Sequence, residues 1–300
     1  MGWRSVIISQ PGYLKLKDQA LTVEQQDGSV RIPLEDIAVL LLDNPQITLT
    51  APLLSACADQ QIAVITTGAD HHPNGLLLPY SPHSRSLKVL RQQLALSQPR
   101  RKRLWQTLVQ QKILNQAAVL QRFEQPLMAR KLEALARQVK SGDSDNQEAL
   151  AAQLYFPALL GKGFTRQQTS FHNALLNYGY AVIRAALAKH LVSYGFLTPL
   201  GLHHCNEQNA FNLADDLIEP FRPLVDAYCL THLLAEDQQD MTTAHKVKLV
   251  GLLHQDISTV DIQGELTQRT VLAACEALVI SLVQRLADQD NRLHLPLLQA

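Results

Sequence analysis

Over the first seventy residues, apolar positions fall in short blocks separated by turn residues: SVIIS (5–9), LTVEQQ (21–26), SVRIPL (29–34), IAVLLLD (37–43) and IAVITT (62–67). Short runs of this length, rich in β-branched residues, predict strands. Asp27-Gly28 lies between two of them. It predicts a hairpin, because both residues tolerate the positive φ of a type I′ turn. Thr50 stands where it would cap a short helix over APLLSACADQQ (51–61), and GADHHPNG (68–75) reads as a loop. From Ser84 the apolar period lengthens to about 3.6 and the composition turns to Leu, Ala, Gln, Arg and Lys. That pattern predicts helices over 84–97, 101–123, 126–140, 145–160, 170–194, 212–235, 245–254 and 268–288, with SGDSDNQ (141–147) as a polar connection. The expected architecture is α+β. A small N-terminal β-sheet domain (1–76) is joined by a linker (77–84) to a larger all-α C-terminal domain (85–300). No repeat, low-complexity tract or Gly-rich phosphate loop interrupts it.

The opening MGWRSVIISQPGYLK has no basic region followed by an apolar run, and no segment approaches about 18 uninterrupted apolar residues. The expectation is a cytoplasmic protein with no membrane partner. Cys57, Cys205, Cys229 and Cys275 are scattered without a Cys-x-x-Cys pair, so they read as buried thiols rather than as a zinc site or disulfide framework. The formal net charge is zero, but by cancellation. Residues 1–80 carry 4 Lys/Arg against 8 Asp/Glu, a net of −4; residues 81–140 carry 13 against 2, a net of +11; residues 141–300 carry 10 against 17, a net of −7. The basic stretch includes Arg100, Arg101, Lys102 and Arg103 in a row. It reads either as a polyanion footprint or as a set of solvated helix faces. The acidic β domain, with its hairpin and no ligand cluster, is expected to serve dimerisation through paired β edges.

Residues 203–222, HHCNEQNAFNLADDLIEPFR, concentrate imidazoles and carboxylates. They form either a solvated helix with a local histidine cap or the walls of a metal site. Asn212 with Asp215 resembles a capping arrangement, which would employ Asp215 structurally. Asp216 and Glu219 are three apart and share a helix face, where two carboxylates repel unless a proton or cation intervenes. Pro220 and Pro223 predict a bend at that point. His203 and His204 arrive from a loop, so one imidazole can lean over the helix start. Oxygen ligands with one nitrogen suit Mg²⁺ or Mn²⁺. Glu148 opens a helix with Ala152 and Tyr155 on its face, and alone it reads as a surface glutamate.

Glu148, Ala152, Tyr155 and Phe156, then GKGFTR (161–166), FHNALLNYGYAVIRAAL (171–187), GFLTPLGLHH (195–204) and NAFNLADDLIEPFRPLVD (209–226), together resemble the CRISPR-associated spacer-integration endonucleases, the Cas one family, in their type II branch. ADHHPNGLLLPY (69–80) and LWQTLVQQKILNQ (104–116) extend the likeness over nearly the whole chain. The resemblance implies a DNA endonuclease and integrase that inserts short foreign fragments at a CRISPR repeat by 3′-hydroxyl attack on a phosphodiester. It further implies metal ligation by Glu148, His204 and Glu219 with Mg²⁺ or Mn²⁺, a supporting carboxylate at Asp216, and His203 as a spacer. DNA with free 3′ ends, a homodimer and a small second CRISPR-associated protein, Cas two, are the implied partners. Arg100, Arg101, Lys102 and Arg103 would contact DNA. A non-catalytic DNA-binding scaffold, or a metal-dependent nuclease of branched DNA, remains the alternative.

Overall fold

The computed structural model describes residues 2, 4–68, 73–80, 86–234, 240–260, 264–288 and 290–299. Among the described residues the N-terminal part holds eight strands: β1 (Arg4–Ile8), β2 (Gly12–Lys17), β3 (Ala20–Gln25), β4 (Gly28–Pro33), β5 (Ile37–Leu42), β6 (Ile47–Leu49), β7 (Ala63–Thr67) and β8 (Pro73–Leu77), with helix α1 (Ala51–Asp59) before β7. They form two four-stranded sheets, ordered β1-β5-β7-β8 and β4-β3-β2-β6. In the first, β1, β5 and β7 run parallel, and all six residues of β5 are buried, as expected of a parallel strand covered on both faces. Its two faces belong to two cores. Leu40, Leu42 and Val64 pack toward the second sheet and α1, while Val39, Leu41 and Ile65 join the core of the helical part. The alternation of a strand sets this division.

The β3–β4 hairpin stands where Asp27-Gly28 predicts it, but its turn is not type I′. Its loop residues are Gln26 and Asp27, and positive φ occurs only at Gly28, at 137°. The turn with two left-handed residues lies between β2 and β3, at Asp18 (φ 48°) and Gln19 (φ 59°). Thr50 is the N-cap of α1, yet its hydroxyl makes no cap hydrogen bond. The predicted loop over 68–75 falls partly on residues 69–72, outside the described residues, and its last three residues already belong to β8.

Helices dominate the rest: α2 (Ser86–Leu94), α3 (Gln98–Arg122), α4 (Pro126–Gln138), α5 (Gln147–Leu160), α6 (Phe171–Ser193), α7 (Asn212–Leu217), α8 (Arg222–His232), α9 (Thr243–Gly251) and α10 (Val271–Ala287). The C-terminal part is not purely helical. Strands β9 (Asp256–Val260), β10 (Leu266–Thr270) and β11 (Leu295–Leu297) make a small antiparallel sheet, so residues 268–270 pair in β10 rather than opening a helix. Their β-branched content, in DISTV and LTQRT, favours strands over helix. The predicted helix over 212–235 is broken: a 3₁₀ turn at Glu219–Phe221 separates α7 from α8, because Pro220 and Pro223 cannot continue the hydrogen-bond ladder. The end predicted at 235 lies outside the described residues.

Helices α3 and α6 are the spine of the large core. Trp105, Leu108 and Ile113 of α3 and Leu175, Ile183 and Leu187 of α6 are almost wholly buried. Two buried lysines tie this body to the first sheet: Lys246 of α9 lies 2.7 Å from Asp43, and Lys189 of α6 donates to the Ala38 carbonyl at 3.3 Å. Three cysteines are buried as expected, but Cys205 is exposed because it sits in the loop before α7. No helix among the described residues is long and apolar enough to cross a membrane.

Candidate functional site

Glu148 occupies the first turn of α5. Buried Asp143 holds that turn by accepting the backbone N–H of Gln147 at 2.8 Å and of Glu148 at 3.0 Å. Glu219 begins the 3₁₀ turn after α7 and is 3 % exposed. The two carboxylates, 71 residues apart in sequence, meet at one side chain. Lys112 of α3 places its Nζ 2.5 Å from Glu148 Oε1 and against Glu219 Oε2, and Arg222 Nε donates to the other oxygen of Glu219 at 2.8 Å. Burial alone would raise the Glu219 pKa, but Lys112 and then Arg222 overcome it and hold the carboxyl at about 2. Burial likewise opposes the charge on Lys112, and Glu219 with Glu148 overrides it, raising the ammonium above its ordinary pKa.

Beside this cluster lies a second pair. Asp216, wholly buried on α7, accepts the backbone N–H groups of Leu202 (2.5 Å), His203 (3.3 Å) and His204 (3.0 Å) and pairs with His204 Nδ1 at 2.8 Å. The carboxylate thereby fixes the loop and the His204 ring together. Its hydrogen bond is the largest influence raising the His204 pKa, and Glu219 adds to it through space. With Nδ1 engaged, Nε2 is the ring nitrogen without a hydrogen-bond partner among the described residues. His203 is exposed and lies flat on the buried Trp105 instead.

The predicted residues are therefore partly assembled. Glu148 and Glu219 converge, and His204 with Asp216 forms an adjoining pair. Among the described residues, no group of three or more His, Cys, Asp or Glu side chains stands ready as a metal cage. The cation shared by the two glutamates is Lys112. Asp215 does not cap α7. It forms a bidentate pair with Arg184 of α6, at 2.6 and 3.0 Å, and accepts from Asn209. Arg100, Arg101, Lys102 and Arg103 do not share one face, since successive residues turn by about 100° on a helix. Arg100 donates to the last-turn carbonyls of α10, Arg101 borders the 200–202 loop, Lys102 covers Gly142, and Arg103 is exposed.

Sequence reasoning missed Lys112. A signal existed: Leu104, Leu108, Lys112 and Gln116 are spaced by four, which puts a lysine in the buried stripe of α3, where charge is rare unless paired. Asp226 was also missed. This buried carboxylate of α8 accepts from Tyr155 at 3.0 Å and from Tyr180, and burial pushes its pKa up to about 6.

The fold recurs in solved structures. The chain superposes on a casposase bound to integration product with a TM-score of 0.79, at 18% identity, covering 97% of this chain and 93% of that one. A chain of a Cas6-RT-Cas1–Cas2 complex matches with a TM-score of 0.68 and 19% identity, covering 95% of this chain and 35% of that one. These likenesses define the fold. Sequence defines the family: the model described as "CRISPR associated protein Cas1" matches residues 6–256. A relative from Neisseria meningitidis serogroup C (strain 8013), called CRISPR-associated endonuclease Cas1, is 44% identical over 99% of this chain and 96% of its own length. The chain belongs to the Cas1 family.

Proposed function

We propose that this chain is a metal-dependent DNA endonuclease and integrase that inserts short foreign DNA fragments into a CRISPR array. The observation that carries the reading is the Lys112 ammonium shared by Glu148 and Glu219. Two carboxylates, one of them buried, already converge on one cation, and a neighbouring imidazole has one nitrogen tied to a carboxylate and the other without a hydrogen-bond partner among the described residues. Such a carboxylate–histidine pair is the usual outer support of a metal-binding imidazole. The donor set of two oxygens and one nitrogen fits Mg²⁺ or Mn²⁺. Glu148, His204 and Glu219 would hold the ion. When bound there, it supplies Lewis acidity that lowers the pKa of an attacking hydroxyl and stabilises charge on a phosphate.

The chain's own groups do the rest. Asp216 sets the His204 tautomer, Asp143 fixes the start of α5 beneath Glu148, and Arg222 with Lys112 keeps Glu219 ionised. Trp105 anchors the histidine loop. The nucleophile is the 3′-hydroxyl of a DNA fragment, which attacks a phosphodiester at the repeat boundary and releases the 3′-oxygen of the cut strand. A relative named as an endonuclease, a neighbour bound to integration product and a neighbour in a Cas1–Cas2 complex support the activity, the DNA substrate and a Cas two partner. The protein is proposed to act as a homodimer.

The test combines purified protein with and without Cas two, a fragment with free 3′ ends, a supercoiled array plasmid and Mg²⁺ or Mn²⁺. Metal-dependent joining of fragment to plasmid is expected, and Glu148→Gln should abolish it. Binding without joining under every metal condition would leave a DNA-binding scaffold. Cutting without joining would leave a nuclease.

A further inference from the structure

The first turns of α3 carry Arg100, Arg101, Lys102 and Arg103 and no acidic residue. A helix N-terminus is itself positive, so this placement is electrostatically unfavourable unless something anionic compensates. Arg101 and Lys102 turn away, along the 200–202 loop and over Gly142. Arg100 and Arg103 do not. They face the end of α10 and the segment after it, and with Leu104, Arg285, Asp290 and Arg292 they line a cavity of about 390 Å³. Four arginines against one aspartate give the cavity a formal charge of +3. These residues come from positions 100–104 and 285–292, so the charge density of this wall is invisible in any single stretch of sequence.

The roles of the four arginines differ. Arg100 has a structural reason to be there, donating to the carbonyls of Arg285 at 3.0 Å and Leu286 at 3.2 Å and so satisfying the end of α10. Arg285 donates to the Asn291 carbonyl at 2.6 Å. The Arg103 and Arg292 guanidiniums have no hydrogen-bond or ion-pair partner among the described residues, and none of the four forms an ion pair there. Burial first, and the charges of Arg100 and Arg103 after it, lower the Arg285 pKa, with Asp290 and Asp288 only partly opposing them. Four planar guanidiniums that share a cavity with one carboxylate, and make no ion pair with it, suit the oxygens of a phosphate.

From these observations we infer that Arg103, Arg285 and Arg292 form a pocket for a single backbone phosphate of the DNA strand that enters the site, with Arg100 fixing the pocket's wall. The inference rests on the reading of the chain as a DNA-processing enzyme. It adds a particular anchoring point. Arg103 and Lys112 are nine residues apart on one uninterrupted helix, about 14 Å along its axis. At about 3.4 Å per nucleotide, that separates the anchored phosphate from the reacting one by roughly four nucleotides.

The test measures DNA affinity against salt for the wild type and two double variants of equal charge change. Arg103→Ala with Arg292→Ala empties the pocket of its two unpartnered guanidiniums. Arg130→Ala with Lys131→Ala removes two exposed charges from α4. The pocket variant should flatten the log–log slope by about 0.7 to 0.9 per lost contact, and the α4 variant should not. A single neutral methylphosphonate, walked along the strand, should weaken wild-type binding most about four nucleotides from the reacting end and should have no such maximum in the pocket variant. Strand transfer by the wild type on the same DNA is followed in parallel. An unchanged slope in the pocket variant, equal flattening in both variants, or a wild-type methylphosphonate profile without a maximum overturns the pocket while transfer stands. No DNA binding by the wild type overturns the DNA-processing reading and the pocket with it.

Discussion

Trp105 and His203 lie face to face, with ring centroids 4.3 Å apart and planes within 2° of parallel, while His204 meets the edge of the same indole at 5.7 Å and 86°. The exposed ring thus packs flat on the indole, and the half-buried one meets only its edge and pairs with Asp216. Stacking of this kind is worth about 0.5–1.5 kcal/mol, so His203→Ala should cost no more than that in unfolding free energy and should keep most strand transfer. Trp105→Ala removes a wholly buried indole and should cost about 3–5 kcal/mol; Trp105→Phe should recover most of it. Denaturant unfolding with strand-transfer rates checks both. A His203→Ala protein as inactive as His204→Ala would refute the division of labour.

Lys112 holds two carboxylates together inside the protein, and removing one partner of a buried ion pair costs about 3–5 kcal/mol. Lys112→Met should lose that much stability in EDTA and regain part of it with Mn²⁺, since a bound cation would replace the ammonium between Glu148 and Glu219. The wild type carries a matching pH signature. The Glu219 carboxyl is depressed to about 2 from an ordinary 4.5, so its contribution is fully present above pH 4.5 and is lost as pH falls toward 2. The loss is on the order of 3 kcal/mol. Metal-free unfolding measured from pH 5 to pH 2 should show this decline in the wild type and a smaller one in Lys112→Met. Parallel curves would mean that Lys112 does not set the Glu219 charge.

Asp226 behaves in the opposite sense. Burial raises its pKa to about 6 from an ordinary 3.8, and the hydroxyls of Tyr180 and Tyr155 only partly offset this. Its stabilising contribution is present below pH 3.8 and is lost as pH rises through 6. Asp226→Asn keeps an acceptor without the charge, so relative to the wild type it should gain on the order of 3 kcal/mol between pH 3.5 and pH 7. Thermal unfolding of the two proteins across that range tests it, and a constant difference would mean that Asp226 keeps an ordinary pKa.

Much of the fold follows from periodicity, and the failures have local causes. The long helices α3 to α6 are legible because their apolar stripes persist for several turns. The C-terminal sheet is not, because DISTV and LTQRT are single short runs beside a long helical signal. The left-handed turn at Asp18-Gln19 carries no glycine to announce it. At the site, the set Glu148, His204 and Glu219 comes only from the family resemblance, since Glu148 alone reads as a surface glutamate, and Lys112 enters from α3 and closes contacts 36 and 107 residues away. The pairing of Asp216 with His204 depends on how the loop through Gly201 turns back. Gly201 sits where a Cβ would fall 2.3 Å from the His204 carbonyl oxygen and 2.7 Å from Asp216 Oδ2. No periodicity argument reaches that far.

Asp216 is where the histidine loop, α7 and the imidazole are fixed at once, which makes it the most informative single substitution after Glu148, His204 and Glu219. Its buried carboxylate accepts three backbone N–H groups and pairs with His204 Nδ1. Asp216→Asn removes the charge and turns an NH₂ donor toward groups that are themselves donors, so at least one buried donor loses its partner, at about 1–3 kcal/mol. The functional effect should exceed the loss of fold. Outer-shell carboxylates of metal-bound histidines typically contribute 10–100-fold in metal affinity, so the Mn²⁺ concentration for half-maximal strand transfer should rise by that factor, whereas His204→Ala should abolish transfer at any Mn²⁺ concentration. A pH profile separates this from simple damage. The hydrogen bond to Asp216 is the largest influence raising the His204 pKa, and only the neutral ring can ligate, so the acid limb of the wild-type profile should lie above pH 6.5. In Asp216→Asn it should move to lower pH as the ring loses its anionic partner. An unshifted acid limb together with unchanged Mn²⁺ dependence would show that Asp216 supports the loop without acting on the imidazole.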